Sequence, residues 1–294
     1  MITTRRGVMG MAAGLACTPL RAITIAPVAW GNFGLEIEAS HLSQGGWLRA
    51  RLTGPGQIAA LQMGETKIVP DAEGRFFAGF DRDAGATAFL TGTCAVPGGC
   101  TRGHEPPRYG FTIAPRAWRI ENVDAPLRPP AIPSEEFLRI RAAEVAAIAA
   151  ARAKVTGAAG WTQQMIRPAP GRISGRFGSQ RVYRGQPGSY HSGLDLAGAA
   201  GTPILCPADG VVILAAPAPF TLEGRLLMVD HGMGLSSAFL HCSAHRVAEG
   251  DVVRQGQPIA EVGMTGRATG PHLHWGLRWH DARLDPLLFL PREE

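Results

Sequence analysis

Alternation of apolar and polar residues dominates the first third of the chain. Between residues 33 and 114, apolar side chains recur at every second position, as in segments 35–39, 48–52 and 76–80. A period of two places successive side chains on opposite faces of a β-strand. Glycine-containing turn sequences at 54–56 and 73–74 separate these segments. The pattern predicts a small antiparallel β-sandwich over residues 31–118.

A proline-rich stretch follows, and it predicts a domain boundary. Four prolines between residues 126 and 133 exclude a central strand and favour a semi-rigid spacer. Ser134 is then a typical N-cap, with Glu135 and Glu136 at the positive end of a helix that continues to about Lys154 and stops at Gly157. The expected apolar stripe of this helix consists of Phe137, Ile140, Val145 and Ile148. Residues 119–165 are therefore predicted to be a linker and helix, before a second domain over 166–294.

The first 22 residues have the order of an export signal. Arg5 and Arg6 precede an uncharged segment of 14 residues, from Gly7 to Leu20. A membrane-spanning helix needs about 20 residues, so this segment is too short to span. Basic residues before an apolar core are typical of a secretory signal, and the paired arginines resemble a twin-arginine signal. We expect residues 1–22 to be cleaved after Ala22, giving a periplasmic or secreted protein without a stable membrane span.

Composition narrows the class of protein further. The chain has 294 residues, of which 45% are hydrophobic and 18% charged, with 38 glycines and 23 prolines. These values exclude a disordered or fibrous chain and favour a sheet-rich protein of two domains. The formal charge is +5, but three of the arginines lie within residues 1–22. The remaining excess is too small to predict nucleic-acid binding.

The expected export of the protein bears on the state of its cysteines. After signal cleavage the chain keeps an even number of cysteines, Cys94, Cys100, Cys206 and Cys242. An oxidising compartment favours pairing, and Cys94 with Cys100 is the natural first disulfide because a short loop separates them. Four free buried thiols are the alternative. Since no two cysteines have the spacing of a zinc knuckle, metal ligands are expected among histidines and carboxylates.

Candidate chemistry is concentrated in the second domain. His191 and Asp195 place an imidazole and a carboxylate four residues apart, a ligand pair that suits zinc when a third ligand joins it. In the segment 272–279 large apolar residues alternate with others, so His272 and His274 share one face of a strand, about 6.6 Å apart. That separation suits one ligand and one neighbouring acid or base. His241 ends the apolar strand 235–240.

Each histidine taken singly is more often a hydrogen-bonded structural residue than a ligand. Four such histidines and an aspartate within 84 residues, in these contexts, favour a site instead. The other histidines are predicted to be structural or surface residues, since each is isolated in the sequence or lies in a turn sequence. They are His41, His104, His231, His245 and His280.

Two of these segments resemble the signature of a known enzyme family. The segment 191–195 resembles the H-x-G-x-D motif, and 270–275 resembles the G-x-H-L-H-W motif, of the lysostaphin-type (LytM-like) zinc endopeptidases. Intervening glycine-rich segments follow in the order of that family, and the resemblance covers about residues 171–290. It implies a small antiparallel β fold with a metal in a groove. It also implies peptide cross-links of peptidoglycan as the substrate.

The resemblance also assigns roles to individual residues. It implies that His191, Asp195 and His274 bind Zn²⁺, while His241 and His272 line the open coordination position as catalytic groups. One departure is Phe239, where the family usually has tyrosine. Cys206 and Cys242 stand where the family has aliphatic residues, and they are candidates for a second disulfide.

The expected protein is therefore mainly β, with an N-terminal antiparallel sandwich, a linker helix and a C-terminal antiparallel peptidase domain. Its expected function is zinc-dependent cleavage of peptidoglycan peptides through a metal-activated water. The alternative is a non-catalytic protein that keeps the fold and binds the cell wall or activates a partner hydrolase. Degenerate members of the family lose metal ligands, whereas this chain retains all three. The identity of any regulatory partner stays open.

Overall fold

A computed structural model describes residues 34–53, 58–94, 108–126 and 134–291. Several predictions from the sequence concern other parts of the chain. The export signal at 1–22, the turn at 54–56, the Cys94–Cys100 disulfide and His104 lie outside the described residues.

The N-terminal region consists of short strands in two sheets. The first sheet has the order β1-β2-β5 and the second has the order β4-β3-β6-β7, and neighbouring strands are antiparallel in both. The three strands predicted by alternation are confirmed as β1, β2 and β5, whereas packing of the two sheets as a sandwich stays a prediction. The strands are β1 (Gly34–His41), β2 (Trp47–Thr53), β3 (Ile58–Met63), β4 (Thr66–Ile68), β5 (Arg75–Gly79), β6 (Thr87–Cys94) and β7 (Arg108–Thr112).

Strand β5 is buried on both faces, which a sheet with one solvated face would not show. Phe76 and Phe77 are neighbours in sequence, point to opposite faces and are both buried. The face of Phe77 packs against the C-terminal end of the chain, where its ring centroid lies 6.2 Å from that of Phe289. Trp47 joins the same cluster, 5.3 Å from Phe289, and its indole N–H donates to Leu288 O. One hydrophobic core therefore runs through both regions of the protein.

The remaining chain contains one helix, two 3₁₀ turns and fourteen strands among the described residues. The helix is α1 (Glu135–Arg152), and the 3₁₀ turns are Gly160–Thr162 and Pro286–Phe289. The strands are β8 (Ile120–Val123), β9 (Ile173–Gly175), β10 (Gln180–Tyr183), β11 (Gln186–Pro187), β12 (Leu194–Ala197), β13 (Pro203–Leu205), β14 (Gly210–Ala215), β15 (Arg225–Gly232), β16 (Leu235–Cys242), β17 (Ala244–His245), β18 (Val252–Val253), β19 (Pro258–Glu261), β20 (His272–Trp279) and β21 (Ala282–Leu284).

The main sheet of this region is antiparallel and carries the candidate residues near its centre. Its order is β18-β14-β15-β16-β20-β12-β9, with β21 also paired to β20. A smaller sheet has the order β13-β19-β17. The mainly β fold with antiparallel sheets agrees with the sequence prediction. Within the main sheet, Asp195 of β12 and Leu240 of β16 lie opposite His274 on the two sides of β20.

Residues directly after position 119 do not form a free spacer. Strand β8 pairs in parallel with β10, with Ile120 opposite Gln180 and Val123 opposite Tyr183. The hydrogen bonds of this pairing tie the start of the predicted linker to the second region. The proposed boundaries at residues 118 and 165 stay predictions, and this strand is a connection that alternation did not reveal because β8 is short and largely exposed.

Helix α1 begins where the sequence predicts. The Ser134 hydroxyl accepts the Phe137 N–H at 3.1 Å, as an N-cap should. The predicted apolar stripe is only partly correct, since Ile148 is buried and Phe137 half-buried, whereas Ile140 and Val145 are exposed. Two polar contacts set the rotation of the helix instead: Arg141 pairs with Glu223, and Glu144 accepts two hydrogen bonds from Thr221. No helix in the described ranges is long and apolar enough to cross a membrane.

The predicted Cys206–Cys242 disulfide is wrong, because both thiols are free and buried. Cys206 follows β13 in the small sheet, where its Sγ–H donates to Ala208 O at 2.9 Å. Cys242 ends β16 in the main sheet, and its Sγ lies 3.5 Å from Phe239 O. Both residues belong to the hydrophobic core, and burial raises the pKa of each thiol to about 12. They pack as small apolar residues.

Candidate metal centre and active site

Strand β20 has one face in the hydrophobic core and the other at the candidate site, because its side chains alternate between the two. Leu273 and Trp275 are fully buried, whereas His272 and His274 are half-buried on the opposite face. The predicted shared face of the two histidines is thus confirmed. Antiparallel pairing places Asp195 directly opposite His274. His191 precedes β12 in a loop that folds back beside both residues.

Three predicted ligands converge at this point. The Asp195 Oδ1 atom lies 3.0 Å from His191 Nε2 and 2.8 Å from His274 Nδ1. One ligand atom from each of the three residues lies within 4.8 Å of the other two. Nitrogen and oxygen ligands around one tetrahedral zinc ion, each bound at about 2.0–2.1 Å, are separated by about 3.4 Å. The observed spacing is therefore close to that of a single metal site.

The hydrogen-bond partners of these residues also fit a cation. His191 Nδ1 lies 3.1 Å from Arg176 O, and because a carbonyl only accepts, that nitrogen carries the proton. In the neutral imidazole, His191 Nε2 is then an acceptor that faces the carboxylate acceptor of Asp195. Two acceptors 3.0 Å apart need a proton or a cation between them. A backbone carbonyl that orients the distal nitrogen is also the usual support of a metal-binding histidine.

The electrostatics of the cluster follow from the same geometry. Burial alone would raise the pKa of Asp195, but the adjacent imidazoles of His191 and His274 outweigh it and hold that pKa well below its usual range. Burial opposes the charge on His191, yet contact with Asp195 raises its pKa overall. Burial dominates at His274 and lowers its pKa. The cluster thus keeps the Asp195 carboxylate ionised beside the imidazoles of His191 and His274.

Close packing around His274 explains a glycine in the first motif. A Cβ atom added at Gly193 would lie 2.6 Å from His274 Nε2 and 2.6 Å from Trp275 O. Contacts that short force the imidazole or the strand to move. The glycine between His191 and Asp195 is therefore needed for β12 to approach β20.

His241 reaches the site through an uncommon backbone conformation. It ends β16 with a φ of +64°, a left-handed value that is uncommon for residues other than glycine. In regular alternation its side chain would share the face of buried Phe239. Instead its ring lies 4.9 Å from that of His272, on the groove face. Strain of this kind is concentrated at functional sites.

His241 and His272 share one hydrogen-bonding arrangement, which His191 also has. His241 Nδ1–H donates to Thr265 O at 2.8 Å, and His272 Nδ1–H donates to Gly270 O at 2.8 Å. Both anchored rings therefore present Nε2 as the unprotonated nitrogen. His272 Nε2 lies 4.0 Å from Asp195 Oδ1, next to the ligand cluster. Burial lowers the pKa of His241, although its bond to Thr265 opposes that shift.

Comparison with known proteins agrees with this geometry. Residues 189–286 match the description of Peptidase family M23. The matched segment contains all five candidate residues. It is an M23 peptidase domain. No other cluster of three or more histidine, cysteine, aspartate or glutamate residues with metal-ligand spacing occurs in the described part of the chain.

Relatives with this domain are bacterial. The DD-carboxypeptidase/endopeptidase Mpg of Neisseria meningitidis serogroup B is 38% identical over 134 residues, which are 42% of this chain and 28% of that protein. Peptidoglycan DD-endopeptidase ShyA of Vibrio cholerae is 38% identical over 110 residues, 36% of this chain and 24% of ShyA. The chain thus matches less than a third of the length of these relatives.

Similarity of fold extends beyond the M23 domain. A crystal structure from Pseudomonas aeruginosa assigned to peptidase M23 is 28% identical, with a TM-score of 0.63. The match covers 86% of this chain and 96% of that one. Because residues 189–286 are a smaller share of the chain, the common fold includes residues that precede the domain.

His231 of the M23 domain has the structural role that its turn sequence predicts. It is fully buried, its Nδ1–H donates to Asp209 O at 2.9 Å, and its Nε2 accepts the Ser237 hydroxyl at 2.7 Å. The same hydroxyl oxygen accepts the Trp275 indole N–H at 3.2 Å. This chain of hydrogen bonds fixes the position of Trp275, the residue that follows His274 on β20. His245 and His280 lie away from the candidate cluster.

Sequence reasoning missed two supports of the M23 site. Thr265 anchors His241 through its carbonyl, and the Gly263–Gly266 motif could have drawn attention to it. The other support is Arg82 of the N-terminal region, which donates to Gly178 O at 3.1 Å, while Gly178 N–H donates to His191 O at 2.8 Å. Nothing in the pattern around Arg82 indicated this role, because the contact joins residues 96 positions apart.

Proposed function

We propose that this protein is a zinc-dependent endopeptidase that cleaves peptide cross-links of peptidoglycan. The observation that carries the proposal is the convergence of His191, Asp195 and His274 beside two further imidazoles with free Nε2 atoms. The names of the Neisseria and Vibrio relatives support the substrate class. We place the reaction outside the cytoplasm, in the periplasm or in secreted form, in line with the export signal expected at residues 1–22.

The residues present fit zinc, with His191 Nε2, Asp195 Oδ1 and His274 Nδ1 as ligands. Zinc held there would act as a Lewis acid and lower the pKa of a bound water to about 7. His241 and His272 divide the proton transfers between them. One Nε2 accepts a proton from the attacking water and passes it to the leaving amine, while the other, when protonated, donates to the oxyanion that develops on the scissile carbonyl.

Orientation of both imidazoles is fixed before substrate binds. The bonds to Thr265 O and Gly270 O prevent ring flips that would exchange Nδ1 for Nε2. Phe239 is fully buried beside Trp275, so the position at which the family usually has tyrosine brings no hydroxyl to this mechanism. The two histidines therefore supply the proton transfers without a tyrosine at that position.

The test measures metal content and hydrolysis in the same preparations of the full chain. Zinc is counted by mass spectrometry after dialysis, and release of covalently dyed fragments from purified sacculi reports activity. Alanine variants of His191, Asp195 and His274 should lose zinc and activity together, because two protein ligands remain where catalytic sites use three. Alanine variants of His241 and His272 should keep zinc and lose about 10²–10⁴-fold in turnover.

His245→Ala is the matched control, since this histidine lies outside the cluster. It should keep both zinc and activity. If the His272 variant lost zinc while the His274 variant kept it, the assignment within this pair would be reversed. If zinc-loaded wild-type protein bound sacculi but released no fragments, the non-catalytic alternative would replace the proposal.

A further inference from the structure

A groove leads away from the candidate metal centre between helix α1 and the main sheet. It has a volume of about 360 Å³, and its lining includes Ser192 and His274 at the site and Arg152 of α1. Ser236 and Ala238 of β16 form part of its sheet side. The helix therefore does more than connect two regions, because it forms one wall of a channel that starts at the ligands.

Four arginines line this groove, and only one of them is neutralised there. Arg141 donates to both oxygens of Glu223, at 2.6 and 2.8 Å, and to Glu144 at 3.0 Å. Glu223 is the only carboxylate among the described residues that line the groove. The other three lining arginines are Arg152, Arg278 and Arg283.

The three remaining arginines make no close ion pair with a buried carboxylate of the described residues, although Asp81 and Asp281 partly offset the charge of Arg278. Arg278 donates to two backbone carbonyls, and its one carboxylate contact is a 3.4 Å bond to Asp281, which is fully exposed. Arg283 lies opposite Arg278 in the β20–β21 pair, and its guanidinium lies 5.3 Å from the Tyr190 ring centroid. Arg152 is exposed, and it makes no ion pair within 4.0 Å to a carboxylate of the described residues.

These arginines are close enough to repel one another. Loss of solvation in the groove and the like charges of Arg278 and Arg283 lower the pKa of Arg152 to about 10. A bound anion would reduce this repulsion between like charges. The planar guanidinium fork matches a carboxylate or a phosphate, and bonds of this kind are stronger than those between neutral groups.

Spacing along β20 gives the distance from the metal centre. His274 and Arg278 lie on the same strand face, four residues apart. At about 3.3 Å per residue the two positions are about 13 Å apart. Gly276 lies between them, and a Cβ added there would lie 3.8 Å from Ser192 O, at ordinary contact distance, so the floor of the groove is open. An extended peptide bound along this floor would span the interval with about four residues.

We propose that Arg152, Arg278 and Arg283 form a binding subsite for a peptide carboxylate located about four residues from the scissile bond. The proposal rests on the proposed endopeptidase function and adds a preference for acidic peptides to it. A peptide is the occupant because the groove starts at the reaction site and follows the strand direction. Phosphate on a wall polymer shares the chemistry, and the test distinguishes it.

The experiment uses full-length zinc-loaded protein and cross-linked peptide fragments released from sacculi by a muramidase. One half of the preparation is left acidic, and the carboxylates of the other half are converted to amides. Wild-type protein should cleave the acidic fragments with a roughly 10–100-fold higher kcat/KM, the effect of losing a charge-assisted hydrogen bond. The difference should appear in KM, because a remote anchor binds substrate and transition state equally.

Arg152→Gln and Arg283→Gln should lose most of this preference and cleave the amidated fragments as wild type does. Arg152→Lys keeps the charge and should recover part of the preference. Arg139→Gln is the matched control on the same helix, because Arg139 is exposed and pairs with Glu136 away from the groove. Thermal unfolding confirms that each variant is folded.

Equal cleavage of both preparations by wild type, or an unchanged preference in Arg152→Gln, would overturn the subsite. Failure of the endopeptidase function gives a different result, since neither preparation is then cleaved. In that case binding of labelled fragments by fluorescence anisotropy still tests the preference for carboxylates. If the variants lost affinity only for a phosphate-bearing wall polymer, the peptide assignment would be wrong.

Discussion

The N-terminal region, residues 34–118, and the C-terminal region, residues 134–291 with the M23 domain, both consist mainly of antiparallel strands, yet they contribute differently. The candidate ligand cluster of the described residues lies wholly in the M23 domain. The N-terminal region contributes arginines that reach across: Arg82 to Gly178 O, Arg116 to Asp285 and Arg49 to Thr162 O. It also contributes aromatic rings that pack on Phe289. The C-terminal region therefore contains the candidate active-site residues, and the N-terminal region supports their position through contacts between the two regions.

The shared aromatic core provides the largest test of that view. Phe77→Ala removes a buried ring that contacts both Trp47 and Phe289, and should lower the free energy of unfolding by about 3–5 kcal/mol. Urea denaturation followed by tryptophan fluorescence measures the change. Phe89→Ala is the control, because Phe89 is 44% exposed and should cost far less. Two separate unfolding transitions in wild type would contradict a common core.

The ion pair between Arg116 and Asp285 gives a smaller effect. Asp285 has only 2% of its side chain exposed and lies 2.7 Å from the Arg116 guanidinium. Arg116→Ala leaves a buried carboxylate that still accepts the Leu287 N–H, so we expect a loss of about 1.5–3 kcal/mol in the free energy of unfolding. The exposed pair Arg51–Glu36 provides the control, and Arg51→Ala should leave stability nearly unchanged. Similar losses of unfolding free energy in Arg116→Ala and Arg51→Ala would contradict the expectation that the buried ion pair contributes more than the exposed one.

Arg82 tests whether the N-terminal region acts on the site itself. Its buried guanidinium lies 4.5 Å from the Tyr190 ring centroid and holds the loop that carries His191. Arg82→Ala should weaken zinc binding roughly tenfold, the lower end for residues that support metal ligands. Competition with a chromophoric chelator measures the affinity. Arg49→Ala is the control, since Arg49 also crosses between the regions but contacts residues 162 and 163. Equal zinc affinity in Arg82→Ala and wild type would make the N-terminal region structural only.

The smallest expected effect is a pH dependence located at His231. Burial lowers its pKa in the folded protein, so below about pH 6.5 the unfolded chain binds more protons and stability falls as pH falls. In His231→Gln the free energy of unfolding should therefore decrease less steeply between pH 7.5 and 5.5. Urea denaturation at several pH values measures the slope of unfolding free energy against pH. Equal slopes for His231→Gln and wild type would exclude a contribution from His231.

Alternation predicted the strands because strand faces depend on local order in the chain. The ligand cluster joins residues about 80 positions apart, and it was predicted from the family resemblance of two short motifs. The shared face of His272 and His274 follows from the two-residue period of β20. The rotation of α1 could not be predicted in this way, since Arg141 and Glu144 make polar contacts with residues about 80 positions away. Burial of Phe77 escaped prediction for the same reason. Contacts between distant segments decide both features, and no local pattern records them.

The conformation of His241 was hidden for a different reason. Its place at the end of an apolar strand suggested a role, but simple alternation would have directed it into the core with Phe239. A left-handed backbone turn reversed that direction. Only the hydrogen bond to Thr265 O and the ring of His272 show where the imidazole lies.

Strand β20 also limits how this protein can be re-engineered. One face contributes Leu273, Trp275, Leu277 and Trp279 to the core, and the other contributes His272 and His274 to the site and Arg278 to the groove. An insertion or deletion of one residue would exchange the two faces and remove core and site together. Gly276 is the position of the groove face that carries neither a side chain nor a role in the ligand cluster. A library that varies Gly276 alone would therefore explore new specificity with the least risk to folding.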